Sequence, residues 1–293
     1  MIMKLLRYSN AGDFIARTGR FLESREAENN LILGIAGRLP ALFETSGPSP
    51  YLATIEHDER GDIAGACIRT ALNRAVLTRM PERGIEMIVD DLADIGVEYP
   101  GFVGPAREAK LAAGLWRERT GGTFRLTMEM RIYELDRVIP PARMDGALRA
   151  ATDDDIDIAV TFATAFVAEV GLVSPVMTIE EIVKGYIRER RLYLWDLNGK
   201  PVSMAGCIGP TPNGIRINYV YTPPELRGNG YASQCVAALS QHLLDSGRRF
   251  CFLFTDLANP VSNSIYQRMG YRPVADFSEY ELAWPVPGVP ADC

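Results

Sequence analysis

Apolar residues recur with helical spacing at Phe14, Ile15, Phe21 and Leu22, and again at Leu31, Ile32, Ile35 and Leu39. That spacing predicts two helices near the start of the chain. The period then changes. YLATI (51–55) and IAGACI (63–68) flank a polar stretch around Gly61, as the two strands of a hairpin do. NRAVLTRM (73–80) reads as a third strand, and residues 85–95 return to helical spacing. A brief strand at 102–104, a helix opened by Pro105 and closed by Gly121-Gly122, and the strand FRLTMEMRIYELD complete the first half.

Pro140-Pro141 and the charged run Asp153-Asp154-Asp155 suggest a linker, placed at 139–151 between domains at 1–138 and 152–293. After it the same order of elements begins again. Ile158, Phe162, Phe166 and Val170 mark one helix, and Thr178-Ile179-Glu180-Glu181 has the spacing of a capping box at the start of a second. RLYLWDLNGKPVSMAGC turns at Asn198-Gly199, a hairpin signal. The strand GIRINYVYT, a glycine-rich turn, a helix over 231–246, the strand FCFLFTD, a helix begun by Asn259-Pro260 and a last strand follow. Both halves close on strand, proline, helix, glycine, strand and the letters Tyr-Glu-Leu, at Tyr133 and at Tyr280. We read the chain as two copies of one α/β unit.

Composition narrows the functional classes. The 293 residues carry a net charge of −6, which disfavours nucleic acid and anionic membranes as partners. No stretch approaches the apolar length of a membrane span, and the N-terminus lacks a signal-peptide core. Five scattered cysteines without a C-x-x-C pair suit a reducing cytoplasm. With only His57 and His242, neither a metal site nor a Ser-His-Asp triad is expected.

The chemistry concentrates at LRGNGYAS (226–233), between the strand ending Tyr219-Val220-Tyr221-Thr222 and the following helix. Glycines at such a turn serve positive φ or the close approach of a ligand, and the helix start favours an anion. The run lacks the lysine of a P-loop. It also lacks the third glycine of a dinucleotide fingerprint, and too little chain follows Asp256 for the second half of a doubly wound sheet. In the first half PERGIEM stands at the corresponding place, with Gly84 as its single glycine. That copy keeps the order of elements without the means to wrap a diphosphate.

Arg227-Gly228-Asn229-Gly230-Tyr231-Ala232 matches Arg/Gln-x-x-Gly-x-Gly/Ala, and the chain resembles the GNAT superfamily of N-acetyltransferases over about 152–283. A second signature, from Asn259 through Asn263 and Tyr266 to Gly270-Tyr271, lies in the right order downstream. The resemblance implies two tandem α/β (α+β) units, each a mixed, mostly antiparallel sheet flanked by helices, the first degenerate. It implies transfer of an acetyl or short acyl group from CoA to a primary amine, with acetyl-CoA as cosubstrate and no metal. Arg227, Gly228, Asn229, Gly230, Tyr231 and Ala232 would hold the diphosphate. Val220, Tyr221 and Thr222 would pair with the pantetheine arm, Asn259 and Asn263 would touch the cofactor, and Tyr266 would act on the leaving thiolate.

The residues admit plainer roles too. Asn259 before Pro260 is a standard helix start, Tyr266 could be a packing residue, and Cys235 and the three tryptophans suit a core. No general base stands out between Glu225 and Asp256. An acyl-CoA-binding regulator without turnover and an O-acyltransferase are the alternatives, and a homodimer is compatible with the sequence.

Overall fold

The computed structural model describes residues 2–39, 49–59, 61–70, 73–96, 98–171 and 177–284. They form a mixed α/β protein with two compact units. The units are not contiguous in sequence. One comprises 1–132, 256–258 and 274–293, the other 133–255 and 259–273.

In the first unit the strand order is β1-β2-β3-β4-β5-β12-β6. These are β1 (Met3–Arg7), β2 (Tyr51–His57), β3 (Ile63–Arg69), β4 (Ala75–Leu77), β5 (Gly101–Pro105), β6 (Thr123–Leu135) and β12 (Arg272–Ala283). Neighbours from β1 to β4 run antiparallel, β4 and β5 run parallel, and β5 and β12 run antiparallel. Helices α1 (Ala11–Glu23) and α2 (Asn30–Ala36) begin the chain's helical content, and α3 (Glu82–Ile95) and α4 (Ala106–Thr120) follow β4 and β5. The core joins Ile85, Ile88 and Leu92 of α3 and Trp116 of α4 to Ala53, Ile55 and Phe102. Tyr280 and Leu282 of β12 belong to the same core. Hydrophobic pattern explains these helices, since their buried residues repeat at helical spacing and Gly96 and Gly121 close them in the left-handed conformation.

In the second unit the order is β11-β10-β9-β8-β7. The strands are β7 (Ala147–Ala150), β8 (Leu192–Leu197), β9 (Lys200–Ile208), β10 (Gly214–Tyr221) and β11 (Phe250–Asp256). Among these strands β10 and β11 pair in parallel, and β9 with β10, β8 with β9 and β7 with β8 pair antiparallel. Helices α5 (Ile156–Val170) and α6 (Ile179–Arg188) cover one apolar cluster, with Phe162, Tyr186 and Met204. Helix α7 (Tyr231–Asp245) covers another, with Cys235, Ile217 and Leu253, and α8 (Pro260–Arg268) borders it through Ile265 and Tyr266. Tyr133 and Leu135, the end of β6, belong to this second core.

Three features depart from the sequence reading. The chain opens on β1, a five-residue strand with no fully buried position and so no legible alternation. β7 lies inside the stretch read as a linker; four residues are too few for a periodic signal. Asp155, read as part of a charged run, is buried: it caps a 3-10 turn with Thr152 and holds Arg149 through two bonds of 2.7 and 2.8 Å. The Arg149 hydrogen bonds keep its carboxyl down at about 2 despite burial. Cys67, Cys207, Cys235 and Cys251 are buried free thiols; Cys293 lies outside the described residues.

The two Tyr-Glu-Leu ends therefore serve cores built largely by the other half of the sequence: Tyr280 and Leu282 the first, Tyr133 and Leu135 the second. β12, from the second half, sits beside β5 and is held to β6 by the Arg131–Asp276 fork (2.6 and 2.8 Å) and by Thr127 Oγ1 donating to Glu279 O. A fragment of residues 145–293 would lack Tyr133 and Leu135 from its own core, and its β12 would have no β5. Loss of such large buried side chains costs about 3–5 kcal/mol each, a sizeable part of a domain's stability. We expect no cooperative thermal transition for this fragment by circular dichroism. A sharp transition at the full-length midpoint would contradict that dependence.

Candidate functional site

The site is built at the C-terminal end of β10. Between Asn218 and Tyr221 the strand advances three residues while its partner advances two, Gly206 to Met204, so β10 carries a bulge. A bulge turns two successive side chains to one face, and here both Asn218 and Tyr219 meet Tyr186 of α6. Asn218 Nδ2 donates to Tyr186 Oη at 2.7 Å, and the Tyr219 and Tyr186 rings lie 5.4 Å apart edge to face. Tyr219 has φ +50°, a left-handed conformation that a bulky residue adopts at a cost of about 1–3 kcal/mol. Surrounding rings hold it: Phe166 of α5 lies 5.2 Å away.

Among the described residues the pairing of β10 with β11 ends at Ile217 and Leu253. The parallel strands part company at the bulge, and residues 220–222 lead away from it. Tyr221 and Thr222 are fixed from behind. Ser203 Oγ donates to the carbonyl of Tyr221 at 3.0 Å and accepts from Thr222 Oγ1 at 2.9 Å.

The turn follows a short 3-10 segment, Pro224–Leu226. Gly228 has φ +81° and Gly230 φ +80°, which side-chain-bearing residues rarely adopt. A Cβ at Gly228 would meet nothing within 4 Å, so that glycine serves backbone conformation and open space and not internal packing. Gly230 is the N-cap of α7; no side chain caps the helix, and its first turn holds no acidic residue. The first bond into the turn is Gln234 N–H to Gly230 O, leaving the N–H groups of Tyr231, Ala232 and Ser233 ahead of the ladder. Residues 227–230 are exposed. Free N–H groups at an uncapped helix start are the features that favour an anion.

Two side chains of the turn look inward. Asn229 Nδ2 donates to the carbonyls of Leu226 and Arg227, tying the loop to itself. Arg227 is not a free charge. Its Nε donates to Thr222 O at 2.9 Å, its Nη2 to both oxygens of Glu169 at 2.6 and 2.8 Å, and its guanidinium lies over the Tyr221 ring. Nothing in the sequence marks Glu169 as its partner, because the two are brought together only by the packing of α5 beside β10.

On α8, Asn259 is the N-cap, accepting from Ser262 N–H at 3.0 Å. Asn263 is engaged at both ends of its amide: Nδ2 donates to Asn259 O at 2.7 Å, and Oδ1 accepts from Tyr133 Oη at 3.0 Å. Tyr266 packs its ring edge to face on Tyr271, 5.8 Å away, and among the described residues its hydroxyl has no hydrogen-bond partner. Burial, with the neighbouring Cys235 thiol, pushes its phenol up to about 12. Val220, Leu226, Tyr231, Ile265 and Tyr266 border one apolar cluster, which brings strand end, turn and helix together. Glu225 and Asp256 are both exposed; Asp256 accepts from Ala258 N–H.

The corresponding place in the first unit differs. Helix α3 follows Pro81 and carries Glu82 in its first turn, paired with Arg107 at 3.6 Å. Gly84 is there for packing, since a Cβ would lie 3.1 Å from Ile55. A negative charge at a helix start repels a phosphate.

Residues 173–271 match the family model described as Acetyltransferase (GNAT) family. Solved structures share the fold. An acetyltransferase from the GNAT family of Colwellia psychrerythraea superposes with a TM-score of 0.58 at 13% identity, over 96% of this chain and 100% of its own. A GCN5-related N-acetyltransferase from Sphaerobacter thermophilus gives 0.57 at 15% identity, over 98% and 97%. A tandem GNAT protein from the clavulanic acid biosynthesis pathway gives 0.56 at 13% identity, over 98% and 100%. Among curated proteins the sequence finds no match. No helix among the described residues is long and apolar enough to cross a membrane. Residues 173–271 are thus similar to the acetyltransferase (GNAT) family, within a fold shared over nearly the whole chain with a tandem GNAT protein.

Proposed function

We propose that the chain transfers an acetyl group from acetyl-CoA to a primary amine, using one site in the second unit. The observation that carries this reading is the exposed turn at 227–232, with two left-handed glycines and an uncapped helix start beside the strand end at Tyr221. The diphosphate takes the N–H groups of the turn and of the start of α7. The pantetheine arm extends along 220–222, where β10 has left β11, as an added strand would. The amine attacks the thioester carbonyl, the carbon–nitrogen bond forms, and backbone N–H groups near the bulge stabilise the oxyanion. The carbon–sulfur bond then breaks, and the amine's surplus proton passes to water. Glu225 and Asp256 are given no role as base.

Tyr266 faces the leaving sulfur in this reading. Its phenol at about 12 lies above an ordinary thiol near 8.5, so complete proton transfer is uphill by about 5 kcal/mol. Its contribution is a hydrogen bond to the developing thiolate, with the proton delivered late and the phenol reprotonated from the water that took the amine's proton. The protonated form is the active one, and it is lost only as pH rises through about 12. The first unit, with Glu82 at its helix start, binds no CoA and serves the fold.

The direct test is thiol release from acetyl-CoA across a panel of amines, with alcohols as controls. Release with amines alone supports the reading, whereas binding without release would favour a regulator, and release with alcohols an O-acyltransferase. Replacing Gly230 with valine should abolish acetyl-CoA binding in a folded protein, because a β-branched residue resists φ near +80°. Unchanged affinity by calorimetry would remove the turn from the site. Tyr266→Phe should lower kcat on the order of 10²-fold with little change in acetyl-CoA affinity. The wild-type kcat profile should show no falling limb from this phenol near pH 10; a limb there would point to an unperturbed tyrosine. Glu169→Gln should release Arg227 for the diphosphate and tighten acetyl-CoA binding about two- to fivefold, an effect that fades with added salt because the pair is exposed. Weaker binding in that variant would mean the ion pair orients the turn.

A further inference from the structure

Helix α8 presents a positioning problem. It is nine residues long and contains no fully buried residue, and Val261 is 66% exposed. Apolar packing therefore fixes it weakly: Ile265 and Tyr266 only border the core. Yet a group that must meet a sulfur atom has to be held to a fraction of an ångström.

The element that does hold it comes from far away in sequence. Tyr133, near the end of β6, is completely buried. Its hydroxyl donates to Asn263 Oδ1 at 3.0 Å and accepts from Gln267 Nε2 at 2.9 Å. Asn263 and Gln267 are four residues apart and so share one face of the helix. Tyr266 sits next to that face, three residues after Asn263 and one before Gln267. Two bonds from one fixed oxygen, made one turn apart, set both the height of α8 and its rotation. Each residue corresponds to about 100° around the axis, so a small slip would swing the Tyr266 hydroxyl away from its line.

We infer that Tyr133 is a positioning residue for the transfer step: through Asn263 and Gln267 it fixes α8 and with it Tyr266. This deepens the proposed function and rests on Tyr266 having the role given there. It also gives Asn263 a different employment from cofactor contact, that of an anchor for its own helix. The site in the second unit then depends on a side chain that precedes the linker.

The test uses the full chain. Tyr133→Phe keeps the buried ring and removes only the hydroxyl. Amide hydrogen exchange across 263–269 should speed up about tenfold while that of α7 stays unchanged. With amine acceptor and acetyl-CoA, kcat should fall about tenfold while the KM for acetyl-CoA stays within about twofold. In a Tyr266→Phe background the same change should lower kcat no further, because its effect runs through the lost hydroxyl. Native exchange in α8, unchanged kcat, or an equal loss in both backgrounds would each overturn the inference. Absence of thiol release from the wild-type protein would instead defeat the transfer reading, and exchange in α8 would still decide whether Tyr133 holds the helix.

Discussion

The bulge at Asn218 and Tyr219 is the constraint on which the site depends. Parallel pairing of β10 with β11 ends at Ile217 and Leu253, and one extra residue against β9 makes β10 diverge from there. A regular strand would have continued the ladder and left no place for an extended ligand. The divergence is held by aromatic packing: Tyr219, strained at φ +50°, lies against Phe166 and Tyr186, and Tyr221 against Phe162. Strain confined by rigid neighbours is typical of functional positions. Everything downstream inherits its position from this point, including the fixed carbonyls of Tyr221 and Thr222 and the glycine turn.

A second dependence is topological. Each core takes residues from the closing strand of the other half of the sequence: β12 completes the core around Trp116, and the end of β6 supplies Tyr133 and Leu135 to the core around Cys235. Duplication explains why this is geometrically tolerable, since β6 and β12 close equivalent halves and end in the same three residues. It also leaves the second core reliant on Tyr133 and Leu135 from the first half of the sequence.

Much of this was legible in the sequence, for identifiable reasons. Long helices with apolar stripes, such as 231–245, and the Asn198-Gly199 hairpin carry strong local signals. The glycine turn was legible because positive φ restricts residue choice. Strands β1 and β7 escaped because they are short, and Asp155 because a buried capping carboxylate looks like any charge in a run. The engagements of Arg227 with Glu169 and of Tyr133 with Asn263 escaped for a deeper reason. Each joins residues 58 and 130 positions apart, and no periodicity encodes such a meeting. Tyr219 was visible only as a member of an apolar strand, since a bulge has no fixed composition.

The central claim is that a single anion cradle, at the start of α7, binds the cosubstrate. Calorimetric titration of acetyl-CoA into the full-length protein tests it most directly. The account predicts saturable binding with one molecule per chain. Two molecules per chain, or no heat of binding at millimolar acetyl-CoA, would contradict it.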